Sequence, residues 1–165
     1  VNTRHIGRVP APQKEAQAKV TGQAIYTHDF TLPDMLWGAM LRSPHPHARI
    51  IAIDTTRAAA MPGVAAVLTA ADADVRYLHT GPRFADRYPF ARALVRFVGE
   101  EVAAVAADTL EQAHAAAAAI DVTYEVLQPV FDVHEALAAS APVLHQREGL
   151  PPNVAQHTLA NWGDT

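Results

Sequence analysis

Twelve prolines divide this chain into short pieces, and that division limits its fold more than any other feature. A proline donates no backbone N–H, so it cannot sit inside a central strand or a helix interior. Pro33-Asp34 and Ser43-Pro44 bracket Met35 to Arg42, an apolar run of strand length. A bounded run that short reads as a buried strand, with Gly38 marking a weak point or a close backbone approach. Pro44 and Pro46 keep Ser43 to His47 out of any ladder. Arg49 to Asp54 is β-branched and predicts a second strand. Asp54 or Thr55 then suits the N-cap of a short alanine-rich helix that Pro62-Gly63 stops, and Val64 to Thr69 predicts a third strand.

The second half repeats this grammar. Val102 to Ala107, behind Gly99, is a small-residue strand. Asp108-Thr-Leu-Glu111 has the form of an acidic capping box and opens a helix to about Ala119. Ile120 to Glu125 alternates, with Ile120, Val122 and Tyr124 on one face. Asp132-Val-His-Glu135 starts a second helix to about Ala139. Residues 1–20 read as an extended N-terminal segment and residues 74–93 as a long loop, a length often tied to function. Residues 141–165, with Pro142, Pro151 and Pro152, read as an extended tail or linker. The fold class expected is α+β: a mixed sheet, two principal helices and an extended C-terminal tail.

Local chemistry is sparse. His45 and His47, two apart on an extended chain, point the same way, but no third ligand is adjacent, so loop or interface histidines are the better reading than a metal pair. Glu100 and Glu101 face opposite sides of a strand and read as a solvated edge. No nucleophile elbow, dinucleotide fingerprint or phosphate loop is present. Phe84, Tyr88 and Phe90 with Arg83, Arg87 and Arg92 form an aromatic–arginine loop suited to a protein partner. Thirteen Lys and Arg against seventeen Asp and Glu argue against a phosphate-binding surface. The absence of cysteine removes disulfides, thiolate nucleophiles and cysteine-ligated clusters from the chain. No apolar run reaches about 18 residues, the length of a membrane span, and no secretory signal opens the chain. The expected location is cytoplasmic. The catalytic, cofactor-binding and metal-ligating sets are all expected to be empty.

Several segments, in order, resemble one family. Lys19-Val-Thr-Gly22 with Tyr26 and Asp29 resembles the opening K-V-T-G-x-A-x-Y-x-x-D of molybdenum hydroxylase large subunits. Leu32-Pro-Asp34-Met-Leu36 follows, with Asp34 where the family has glycine. Arg42-Ser-Pro-His45-Pro-His47-Ala-Arg49-Ile50 is similar to R-S-P-x-A-H-A-R-I, with Pro46 in place of alanine. Ile53-Asp54-Thr55, Pro62-Gly63-Val64 and Val67-Leu68-Thr69 continue it. Val95-Arg-Phe-Val-Gly99-Glu-Glu101-Val-Ala103 resembles V-R-Y-V-G-E-P-V-A, with Glu101 where proline is usual. Glu111-Gln-Ala113 and Val122-x-Tyr124-Glu125-x-Leu127 complete the set.

The resemblance is to the N-terminal α/β hammerhead domain of the aldehyde oxidase/xanthine dehydrogenase family. It implies a hammerhead domain over 21–140 and a linker over 141–165 toward a molybdopterin-binding domain. The start at Val1 and the stop at Thr165 are then expected of a piece of a larger enzyme. It implies a structural and assembly role in a molybdopterin-dependent oxidoreductase, not catalytic alone. Molybdopterin is expected in the complete enzyme, with iron–sulfur clusters on partner subunits and FAD as the further candidate cofactor there. The candidate interface residues are Arg42, His45, His47, Arg83, Arg87 and Gly99. The alternatives are an independent binding module without redox partners and a self-sufficient histidine metalloenzyme, which would hold stoichiometric metal.

Overall fold

A computed structural model describes residues 14–72, 88–146, 148–157 and 159–163. The contacts divide the chain into two compact units, Val1–Met35 and Leu36–Thr165. The sequence reading put the first boundary at residue 20.

In the first unit, α1 (Ala16–Val20) replaces the extended backbone expected before residue 20. Ala16, Gln17, Ala18 and Lys19 are good helix formers, and Glu15 pairs with Lys19 across one turn at 2.8 Å. Gly22, at φ +70°, ends the helix, and the Gln23 and Ala24 N–H groups close back onto the Ala18 carbonyl. A 3-10 turn, Thr27–Asp29, follows. The Asp29 carboxylate accepts the Tyr26 N–H at 3.0 Å, which gives both residues of that motif a local task. Asp34 sits at φ +59°. A left-handed backbone there accounts for the glycine that the resembling family carries at this position.

The second unit contains β1 (Trp37–Arg42), β2 (Ala48–Asp54), α2 (Thr56–Ala59), β3 (Val64–Thr69), β4 (Leu94–Val95), β5 (Glu101–Ala107), α3 (Leu110–Ala119), β6 (Asp121–Val126) and α4 (Val133–Ala136). The α+β class holds. The expected mixed sheet is instead two three-stranded sheets, ordered β1-β5-β3 and β4-β2-β6. Every pairing in them is antiparallel. The proline corner at Ser43–His47 sends β2 into the second sheet, away from β1. The second expected helix is a single turn, α4, capped as anticipated: Asp132 accepts the His134 and Glu135 N–H groups. At α3 the cap is Thr109, whose hydroxyl accepts the Gln112 N–H at 3.2 Å, and not Asp108. The Asp108 N–H is already used by the Gly63 carbonyl.

The larger core lies between α3 and the first sheet. Ala113, Ala116 and Ala117 meet Ala39, Ala103, Val105 and Ala107. Alanine on both sides lets the helix lie close to the strands. At its C-terminus the Ala119 carbonyl accepts from Arg57 Nε, a cation placed at the negative end of the helix dipole. A smaller core, Ala48, Ala91, Val95 and Val102, lies under the second sheet, and Ile53 and Val122 pack against both. No helix among the described residues is long and apolar enough to cross a membrane.

Candidate functional site

Four of the six candidate interface residues meet at one corner, where β1 turns toward β2 and the 96–100 turn approaches it. Ser43 is the centre. Its N–H donates to the Glu100 carbonyl at 2.9 Å, and its carbonyl accepts the Gly99 N–H at 2.8 Å. Its hydroxyl donates to the His45 carbonyl and accepts the His45 N–H, both at 3.0 Å. Gly99, at φ +91°, makes the turn that delivers this N–H; an L side chain there is strained. Arg42 reaches across to the Gly99 carbonyl and the Glu101 carboxylate, each at 2.8 Å. Glu101, the residue standing in place of the family's proline, thereby gains an ion-pair partner on the neighbouring strand.

The two histidines have separate internal partners. His45 stacks edge-on against Tyr124, with ring centroids 5.0 Å apart. His47 is 5% exposed, and its Nδ1 lies 2.7 Å from the Gln128 carbonyl. That carbonyl can only accept, so Nδ1 carries a proton. Burial pushes the Tyr124 phenol up, and the neighbouring Ser43 hydroxyl partly offsets this. Among the described residues no three His, Asp or Glu side chains gather as a metal site.

Glu100 corrects the sequence reading. It is not on a solvated edge but 4% exposed. Its carboxylate takes Arg96 Nη2 at 2.6 Å and Arg96 Nε at 3.2 Å, and it also accepts the Arg96 N–H. The Arg96 guanidinium continues to His145 Nδ1 at 3.4 Å. An opposite-charge pair four residues apart, spanning a glycine turn, was the signal available in the sequence.

Arg83 and Arg87 lie outside the described residues. Of the loop they belong to, Phe90 and Ala91 are buried, and the Arg92 guanidinium lies 4.3 Å over the Tyr88 ring. The residues 141–157, read from the sequence as a tail, hold a further site that sequence reasoning missed. Asn153, at φ +61°, accepts the Leu144 and His145 N–H groups on Oδ1 at 2.8 and 3.2 Å. Its Nδ2 donates to the Ala136 and Pro142 carbonyls, both at 2.9 Å. The segment so held forms one wall of an apolar groove of about 680 Å³, with Val133, Leu137, Leu150 and Val154 in its lining.

A family model described as aldehyde oxidase and xanthine dehydrogenase, a/b hammerhead domain, matches residues 21–128. A probable hypoxanthine oxidase of Escherichia coli is 40% identical over 139 residues, covering 81% of this chain and 14% of that protein. The carbon monoxide dehydrogenase large chain of Afipia carboxidovorans is 42% identical over 127 residues, covering 76% and 16%. Among solved structures, the aldehyde oxidoreductase from Desulfovibrio gigas superposes with a TM-score of 0.73 at 34% identity, covering 81% of this chain and 16% of that one. The chain belongs to the aldehyde oxidase and xanthine dehydrogenase family of molybdenum hydroxylases, as its α/β hammerhead domain. It spans 14% of the length of the first of these relatives.

The orphaned polar group among the described residues does not fit a pterin cofactor. Among the described residues, the buried polar side-chain atom without a hydrogen-bond partner is Gln112 Oε1. The space beside it is closed: a Cβ at Gly63 would lie 2.6 Å from Gln112 Cδ. No open, polar cradle accompanies it.

Proposed function

We propose that this chain is a structural and assembly domain of a molybdopterin-dependent oxidoreductase, supporting the cofactor domains and contacting the iron–sulfur subunit. The observation that carries the reading is the match to the hammerhead domain alone, over 21–128, in relatives several times longer. In this reading 21–140 is the domain body and 141–165 leads toward a molybdopterin-binding domain. Hydroxylation chemistry and electron transfer belong to parts outside this chain, with iron–sulfur clusters on a partner subunit and FAD the further candidate cofactor there. Arg42, His45, His47 and Gly99 supply the ordered corner, and Arg83 and Arg87, outside the described residues, complete the proposed contact set.

The test is assembly of the complete enzyme with Arg42→Ala, His47→Ala or an altered 83–92 loop. The expected result is loss of subunit affinity or of molybdenum content. Unchanged affinity, cofactor content and turnover in all three would overturn the interface assignment.

A further inference from the structure

β5 runs from Glu101 to Ala107, and after Glu101 it is Val-Ala-Ala-Val-Ala-Ala, with no polar residue. A strand that is apolar at every position is the pattern of one covered on both faces, whereas a strand with one wet face alternates. One face is accounted for: Ala103, Val105 and Ala107 lie under α3. On the opposite face, register aligns Ala104 with Met40 and Leu68, and Ala106 with Gly38 and Ala66. Met40 is 42% and Leu68 46% exposed. None of these six residues is charged or polar.

Their shape is as informative as their chemistry. The middle strand is low, with only alanine methyl groups, and the flanking strands carry Met40 and Leu68 as walls. Two strand spacings of about 4.8 Å separate those walls. The trough is therefore about as wide as an α-helix with its side chains, roughly 10 Å. Toward Glu101 it runs into the second core through Val102.

We infer that this trough along β5 docks an apolar helix of the same large-subunit polypeptide, so that β5 is sandwiched between two helices. The inference rests on the proposed function. The occupant follows from length: a relative matched over only 14% of its length has most of its chain elsewhere to provide the second layer. Tethered docking also supplies a high local concentration, so a patch of six apolar residues suffices.

The experiment uses the complete enzyme. Leu68→p-benzoylphenylalanine places a photo-crosslinker on one wall, and the crosslinked peptide is identified by mass spectrometry. Met40→Cys, probed with a maleimide, reads the other wall independently if the first variant folds poorly. The expected results are a crosslink to a helix of the same polypeptide outside residues 1–165, and loss of maleimide labelling at Met40→Cys in the native enzyme but not in urea. A crosslink to a separate subunit or to a second copy would overturn the inference, and so would rapid native labelling with no crosslink. Molybdenum content of the unsubstituted enzyme is measured alongside. Its absence would remove the functional reading, whereas normal content with an open trough would remove only the helix.

Discussion

The two sheets of the larger unit have the same strand number and opposite outer faces. Across β2 and β6 the outward pairs are Arg49 with Glu125, Ala52 with Thr123 and Asp54 with Asp121. Arg49 Nε and the Glu125 carboxylate close to 2.9 Å. Across β1, β5 and β3 the outward rows are Met40–Ala104–Leu68 and Gly38–Ala106–Ala66. The first surface carries charged and polar pairs, with Ile51 and Val126 exposed among them, and its charged rim on β6 discourages pairing with another strand. The second has nothing to offer water. Similar hydrogen-bond ladders thus serve one face with paired charges and one with none in its outward rows, and side-chain chemistry tells them apart.

Substitutions can separate these roles. The largest effect is expected at the turn joining the sheets: Glu100→Ala takes the carboxylate away from the half-buried Arg96 guanidinium, at a cost of about 2–3 kcal/mol, read by urea denaturation. In the alanine core of the first sheet, Ala116→Leu overpacks the α3–β5 contact and costs roughly 2 kcal/mol by the same measurement. A smaller effect would show that this interface can slide apart to admit bulk. Gly99→Ala puts an L side chain at φ +91°, at about 1–2 kcal/mol, seen as a lower denaturation midpoint. On the wet face, a double-mutant cycle on Arg49 and Glu125 should return a coupling below about 1 kcal/mol, because both side chains are exposed. Smallest is the pH response of Asp54. The Thr56 hydroxyl and N–H hold its carboxyl below the usual carboxylate range. Its stabilising contribution is present above the unfolded-state pKa and fades as pH falls through the lower folded value. Asp54→Asn should flatten that acid limb of the stability profile.

The sequence made the elements legible where a bounded apolar run or a cap has a local cause. β2, β3, β5, α3 and the Asp132 cap lie within a residue or two of their expected positions. What was not legible depends on partners distant in sequence or on very short elements. β4 has two residues, Leu94–Val95, and no pattern of its own; it exists because Ala48 and Arg49 pair with it. Glu100 looks solvated from its neighbours alone, and its burial comes from Arg96 folding back across the Gly99 turn. Periodicity could not show that the strands divide between two sheets, since each run is equally apolar in either arrangement. At the candidate corner, Arg42 and Gly99 were legible, but the motif that contains Ser43 does not reveal that its backbone and hydroxyl join the corner.

Asn153 holds four polar groups with one side chain, and its own N–H donates to the His145 carbonyl at 2.8 Å. The ten residues from 144 to 153 are thereby a closed ring. A flexible linker explores a sphere whose radius grows with the square root of its length. A ring fastened to a helix end has a heading instead. Whatever the backbone carries beyond Asn153 sets out along a direction, so a single asparagine acts there as a bearing.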